Sequence, residues 1–273
     1  MEKVLLREYF IPAVGISKKV IYHFSDSHLT EYDSLSDEAE TEKAKKQTEA
    51  WDSVRRSFPL AYGEPFGELQ QQSPMTHFKN LMSVAQGGDA FVVAGDTLDY
   101  TSGANMRIAD RLFGSATAKY IAVCGNHDKP CDIPDGYVFS KTKQPVQTLD
   151  LGDMLIVGID NSDRLVTEHQ LAELKCILEG EKPILIVMHV PIMTEGNAER
   201  LRKCGEYFQL NYDGCPKTNC DFIELIKKNG KKIIAVLAGH LHFCDVSEIS
   251  PEVTQYVSSQ GIAGNINRYI IGE

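Results

Sequence analysis

Basic residues are in short supply. The 273-residue chain carries 28 Lys and Arg against 38 Asp and Glu, a formal charge of −10. Binding DNA or RNA over a broad surface needs a basic face, so nucleic acid is not an expected partner. A small anion stays compatible if the site itself is locally positive. Long apolar runs are missing too. None has the length of a signal-peptide core or a membrane span, and Val4–Leu6 is broken at once by Arg7 and Glu8. No membrane partner and a cytoplasmic location are therefore expected. Paired cysteine motifs are also absent. Seven cysteines are scattered without a CxxC, Cys215 and Cys220 being nearest in sequence, which excludes a disulfide framework and a structural zinc cluster as first readings.

What remains is an ordinary soluble composition, 42% hydrophobic and 24% charged, long enough to bury a proper core. Short runs rich in β-branched residues recur at 20–24, 91–94, 120–124, 155–159, 184–188 and 233–238, and these predict buried strands. Helical patterns lie between some of them. Thr167 and Gln170 spell a capping box before the stripe Leu171, Leu174, Leu178. Phe222, Leu225 and Ile226 mark another helix, ending near Asn229 and Gly230. The alternation predicts an α/β architecture, with consecutive strands over 246–271 making a mixed sheet. One domain spanning 1–273 is expected, with insertions at about 33–73 and 194–220. The first insertion holds a charged helix, 37–58, with the apolar stripe Trp51, Val54 and Phe58. It is either a lid or a docked decoration.

Polar residues follow five of the runs. They are Asp26-Ser27-His28, Gly95-Asp96 (with Asp99 beyond), Gly125-Asn126-His127-Asp128, His189, and Gly239-His240-Leu241-His242. Ligands of open α/β sheets gather outside the carboxyl ends of strands. In extended backbone, residues i and i+2 face the same way, so Asp26 with His28, and His240 with His242, are expected to share a side. Carboxylate, imidazole and amide donors suit divalent Mn, Fe, Zn or Ni. Asp128 is expected to brace its turn.

As an ordered set, D-x-H, G-D, G-N-H-D, H and G-H-x-H resembles the calcineurin-like metallophosphoesterase superfamily, over residues 26 to 242. The segment TEHQLAELKCILEG before EKPILIVMHVPI resembles the family's approach to its fourth motif. The resemblance implies a four-layer α/β/β/α sandwich of two mixed sheets flanked by helices. It implies two divalent metal ions. Asp26, His28 and His242 would hold one; Asn126, His189 and His240 the other; Asp96 would bridge them. His127 would act as general acid or phosphate stabiliser and Asp99 would orient it, while a metal-bridging hydroxide attacks a phosphomonoester or phosphodiester.

Two departures narrow the substrate. Asp99 is followed by Tyr100 and Thr101, unlike the GDxVDRG of the superfamily's protein phosphatases, and Asp99 stands where purple acid phosphatases carry a ligating tyrosine. A small phosphoester or nucleotide remains. Asn197, Arg200, Arg202, Lys203, Tyr207 and Tyr212 of the second insertion are candidates for reaching it. The alternative is a non-catalytic scaffold of the same fold that binds protein, although no motif residue is lost.

Overall fold

The predicted strands and helices assemble into two mixed sheets. The computed structural model describes residues 3–64, 66–205 and 208–273, apart from the side chains at 58 and 59. Tyr207 and the Phe58 side chain thus lie outside the described residues. One sheet runs β1 (Leu5–Ile11), β11 (Asn265–Ile271), β2 (Lys19–Phe24), β3 (Ala90–Ala94), β4 (Lys119–Val123). The other runs β5 (Val146–Asp150), β6 (Leu155–Ile159), β7 (Ile184–Val187), β8 (Ile233–Ala238), β10 (Val253–Val257), β9 (Asp245–Ser250).

Period-2 alternation sorts the side chains into layers. On β3, Ala90, Val92 and Ala94 face inward and meet Leu185, Val187, Ala235 and Leu237 of the second sheet. Phe91 and Val93 face outward, against Phe78 and Leu81 of α2 (Pro74–Ala85) and Met106 and Phe113 of α3 (Gly103–Gly114). Both helices start on serine caps: Ser73 Oγ accepts from Thr76 N at 3.2 Å and Ser102 Oγ from Asn105 N at 3.1 Å. Behind the second sheet lie α4 (Glu168–Glu179) and α6 (Lys217–Lys228), which bury Leu171, Leu174 and Leu178, and Phe222 and Ile226. The Thr167–Gln170 capping box forms in both directions. Helices outside two facing sheets give the expected four layers. Among the described residues, no helix is long and apolar enough to cross a membrane.

β1 was hidden in the sequence. Leu6, Glu8 and Phe10 of LLREYFI are solvent-exposed, whereas Leu5, Arg7 and Tyr9 are half-buried. The charges that break the run simply occupy an alternating pattern, and the partner strand is some 260 residues away, Leu5 pairing with Asn265.

The first insertion is docked along its length. Its helix α1 (Glu38–Ala61) turns one face inward through Glu40, Ala44, Thr48, Trp51 and Arg55, the i, i+4 and i+3 steps of a helical stripe. Glu40 accepts from Ala104 N at 3.2 Å, Ala44 is fully buried, and Thr48 Oγ1 bonds Thr30 Oγ1 at 2.9 Å. Pro59 has no N–H for the Arg55 carbonyl four residues earlier; the Gln260 side-chain amide donates to it instead, at 3.0 Å. Beyond the helix, Tyr62 stacks on Phe243 at 4.3 Å and its hydroxyl meets Cys204 Sγ at 3.0 Å. Cys204 ends α5 (Ala198–Cys204), so the two insertions touch.

Candidate active site

Parallel pairing of β2, β3 and β4, and of β7 and β8, puts five carboxyl ends at neighbouring positions. The facing sheets close them on one another: His189 Nδ1, after β7, donates to the Ala94 carbonyl at the end of β3, 2.7 Å away. Every expected ligand is brought into this region.

The chain leaves its strands by strained turns. Asp26, His28, Asp96, His240 and His242 have φ of 55°, 41°, 51°, 72° and 59°. Among the described residues, Arg164 is the one other non-glycine with positive φ. Such left-handed residues cost about 1–3 kcal/mol each and persist where their surroundings fix them. Here the fixing bonds are Asp26 N to Gly95 O and His28 N to Asp96 O, both 3.0 Å. The extended i, i+2 geometry expected for D-x-H and H-x-H is therefore corrected. The pairs converge because left-handed turns re-aim them, and His240 and His242 separate into different clusters.

Asp26, His28 and His242 form one cluster; Asp96, His189 and His240 form the other. In the first, Asp26 Oδ2 accepts from His240 N at 2.9 Å, while Oδ1 has no hydrogen-bond partner and lies 3.3 Å from His242 Nε2 and 3.8 Å from His28 Nε2. The two imidazole Nε2 atoms stand 3.1 Å apart. In the second, His189 Nε2 lies 3.2 Å from Asp96 Oδ2 and 3.1 Å from Asn126 Oδ1. Asp96 Oδ2 is also 3.8 Å from His28 Nε2, so this oxygen of the second cluster faces the first.

These contacts fit divalent cations. His189 spends its Nδ1 proton on Ala94, which leaves Nε2, Asp96 Oδ2 and Asn126 Oδ1 aiming lone pairs at each other. Oxygen and imidazole donors without cysteine suit Mn, Fe, Zn or Ni. Without a cation, a proton fills the gap. Burial lowers the His189 pKa, but the charge and hydrogen bond of Asp96, with Asp26, raise it to about 10. Asp96 in turn is held well below the usual carboxylate range: burial pushes it up, and His189 more than reverses this.

Asp128 is the brace. Fully buried, its carboxylate accepts from Gly125 N, from Asp96 N at 3.1 Å, from Thr97 N at 2.8 Å and from Leu98 N at 3.4 Å. It thus ties the turn after β4 to the turn after β3. Gly125 allows the approach, since a Cβ there would sit on Asp96 Oδ1.

His127 adjoins both clusters: its ring lies 4.7 Å from that of His28, and its backbone N–H donates to Asp96 Oδ1 at 2.8 Å. Its Nδ1 meets Asp99 Oδ1 at 2.9 Å and the Asp99 carbonyl at 3.1 Å, leaving Nε2 available. Burial lowers its pKa, but the Asp99 hydrogen bond and the charges of Asp96 and Asp99 raise it to about 9. Asp99 Oδ1 also lies 3.7 Å from His28 Nδ1, a contact the sequence did not signal.

A cleft of about 340 Å³ opens over the clusters, bordered by His127, His240 and His242 and by Trp51, Val54 and Phe208 of the insertions. The polar candidates of the second insertion are elsewhere. Asn197 is buried on Ile192, Asp245 and Ser247; Arg200 pairs with Asp245 at 3.1 Å; Lys203 pairs with Glu199; Tyr212 lies under Arg164. None of these borders the cleft, nor does Arg202. Phe208 does, and nothing in its neighbourhood marked it.

Comparison with known proteins agrees with this geometry. A dimetal phosphatase from Danio rerio superposes with a TM-score of 0.60 at 10% identity, covering 96% of this chain and 94% of that one. The purple acid phosphatase PPD1 from yellow lupin seeds gives 0.50 at 13% identity, over 94% of this chain and 46% of the larger enzyme. At such identities the likeness establishes the fold. No curated protein sequence matches the chain. The family profile described as calcineurin-like phosphoesterase matches residues 19–244, a span that contains both clusters, His127 and Asp99. The chain belongs to the calcineurin-like phosphoesterases.

Proposed function

We propose that the protein hydrolyses small phosphate esters with two divalent metal ions, drawn from Mn, Fe, Zn and Ni. The observation that carries this reading is the meeting of two donor clusters at Asp96 Oδ2, with His127 held beside them. Asp26, His28 and His242 would hold one ion, Asn126, His189 and His240 the other, and Asp96 both. Such ions, when bound, supply Lewis acidity toward phosphoryl oxygens and lower the pKa of water.

The rest falls to side chains. Asp128 and the left-handed turns fix Asp96 and Asn126, so that no reorganisation is needed during reaction. Asp99 holds the His127 ring by Nδ1, which leaves Nε2–H to face the cleft. As a water oxygen bonds to phosphorus and the P–O bond to the alcohol breaks, that proton passes to the leaving oxygen and the alcohol departs neutral. Four positive charges on two ions exceed those of Asp26 and Asp96, so the centre attracts an anion although the chain is acidic. A small phosphoester, not nucleic acid, is the substrate of this reading. A cytoplasmic setting belongs to the same proposal and is supported by seven free thiols.

The test is to reconstitute metal-free protein with each metal and assay aryl phosphomonoesters and diesters. His127→Ala is expected to lower kcat by about 10²–10⁴-fold, and Asp96→Asn to retain fewer than two ions per chain. Wild type no more active than both variants with all four metals would remove the reading.

A further inference from the structure

The insertions give the site something its strand ends lack, an aromatic wall. Trp51 is the chain's single tryptophan. Its ring stacks on His28 with centroids 3.9 Å apart at 27°, and on His242 at 5.4 Å and 22°. Phe208, on the other insertion, packs on His240 at 5.0 Å. Val54, one helical turn beyond Trp51, is 38% exposed and borders the same cleft. The wall is anchored at Thr48, Arg55 and Tyr62 by the bonds to Thr30, Gln260 and Cys204. These bonds dock the wall beside the strand ends.

Two features restrict what fits beneath it. Among the described residues, no lysine or arginine borders the cleft, so nothing there neutralises a second phosphoryl group. Among the described residues, the walls beyond the histidines, Asp96 and Asn126 are the apolar Trp51, Val54 and Phe208, against which a polyhydroxylated alcohol would bury hydroxyls without partners, each at a cost. A flat apolar group would instead stack. The volume of about 340 Å³ lies near the lower end of the roughly 300–1,000 Å³ of ligand sites, enough for one phosphoryl group and one ring system.

We propose that Trp51 and Phe208 determine specificity, and that the substrate is an ester of a single phosphoryl group with a planar, apolar alcohol. Sugar phosphates, nucleoside polyphosphates and nucleic acids are rejected. The inference rests on the phosphoesterase reading of this same site and names its substrate class.

The test compares kcat/KM for 1-naphthyl phosphate and ethyl phosphate in the metal-loaded enzyme. Intrinsic leaving-group reactivity cancels when the variant's ratio is divided by that of wild type. Trp51→Ala and Phe208→Ala are each expected to lower the ratio about tenfold, the size of one aromatic stacking contact, and Trp51→Phe to restore most of it. A second measurement needs no turnover. By calorimetry, benzylphosphonate should bind metal-loaded wild type at least about tenfold tighter than methylphosphonate, and Trp51→Ala should cut the preference about tenfold. Trp51 emission should fall when Mn is added to metal-free protein, since the indole stacks on His28 and His242. An active enzyme whose ratio is unmoved in both alanine variants overturns the specificity inference alone. An inactive protein that still prefers benzylphosphonate through Trp51 overturns hydrolysis and leaves the selectivity standing. Equal binding of the two phosphonates by wild type overturns the inference whatever the activity.

Discussion

Asp128→Asn exposes how the site is held. The substitution keeps size and shape but turns one acceptor oxygen into an NH2 donor. Asp128 Oδ1 accepts from Gly125 N and Asp96 N, and Oδ2 from Thr97 N and Leu98 N. Whichever way the amide is placed, two buried N–H groups face a donor. Each orphaned buried donor costs about 1–3 kcal/mol, so the metal-free variant should lose about 2–6 kcal/mol of a total stability of about 5–15. The measurement belongs at pH 8, above the value of about 6 to which burial and then the Asp96 charge raise this carboxyl. Equilibrium denaturation in guanidinium reads the loss. Because the orphaned amides lie in the turns of Asp96 and Asn126, calorimetric metal affinity should fall together with stability. A loss under about 1 kcal/mol with unchanged metal affinity would refute the bracing argument.

Asp99→Asn removes the carboxylate that raises His127 to about 9, so the loss of activity as His127 deprotonates should move to lower pH, together with a fall in kcat; a pH–rate profile identical to wild type would contradict that pairing. Metal binding must displace the proton that Asp96 holds on His189, whose pKa is about 10; affinity should therefore rise with pH below that value, and calorimetry in two buffers at pH 7 should read at least one proton released. In metal-free protein the same raised pKa stabilises fully below about 6.5, and that contribution is lost as pH climbs through about 10. Gly125→Ala puts a Cβ onto Asp96 Oδ1, and reconstitution followed by metal analysis should recover fewer than two ions per chain; full occupancy would show that the turn can yield.

The strand ends were legible because their signal is composite. Buried parallel strands must be continuous apolar runs, and a polar residue directly after one has few places to go. Five such ends in one chain therefore pointed to one edge before any fold was known. What the sequence could not express was the backbone path. The extended rule for alternating residues took Asp26 and His28 to a common centre by the wrong geometry, and it would have kept His240 beside His242. The turn that separates those two histidines depends on the bond from His240 N to Asp26 Oδ2, and the turn of Asp26 and His28 on bonds to Gly95 and Asp96, contacts between segments far apart in sequence.

The insertions show the opposite limit. Arg200, Lys203 and Tyr212 were candidates because phosphate chemistry favours polar and basic side chains, yet each is engaged elsewhere, with Asp245, Glu199 and Arg164. Trp51 was visible only as part of a stripe that had to dock on something; that this something is His28 and His242 follows from Thr48 and Arg55, which fix where along the helix the stripe lands. Phe208 carried no local pattern at all. Chemistry common to the fold thus sits in motifs tied to strand ends, where burial forces the spacing. Selectivity sits where packing between two insertions decides which apolar side chain faces the cleft, and single-chain periodicity does not record such packing. The same division predicts how variants will sort: changes at strand ends should alter metal content, and changes at Trp51 or Phe208 should alter which alcohol leaves.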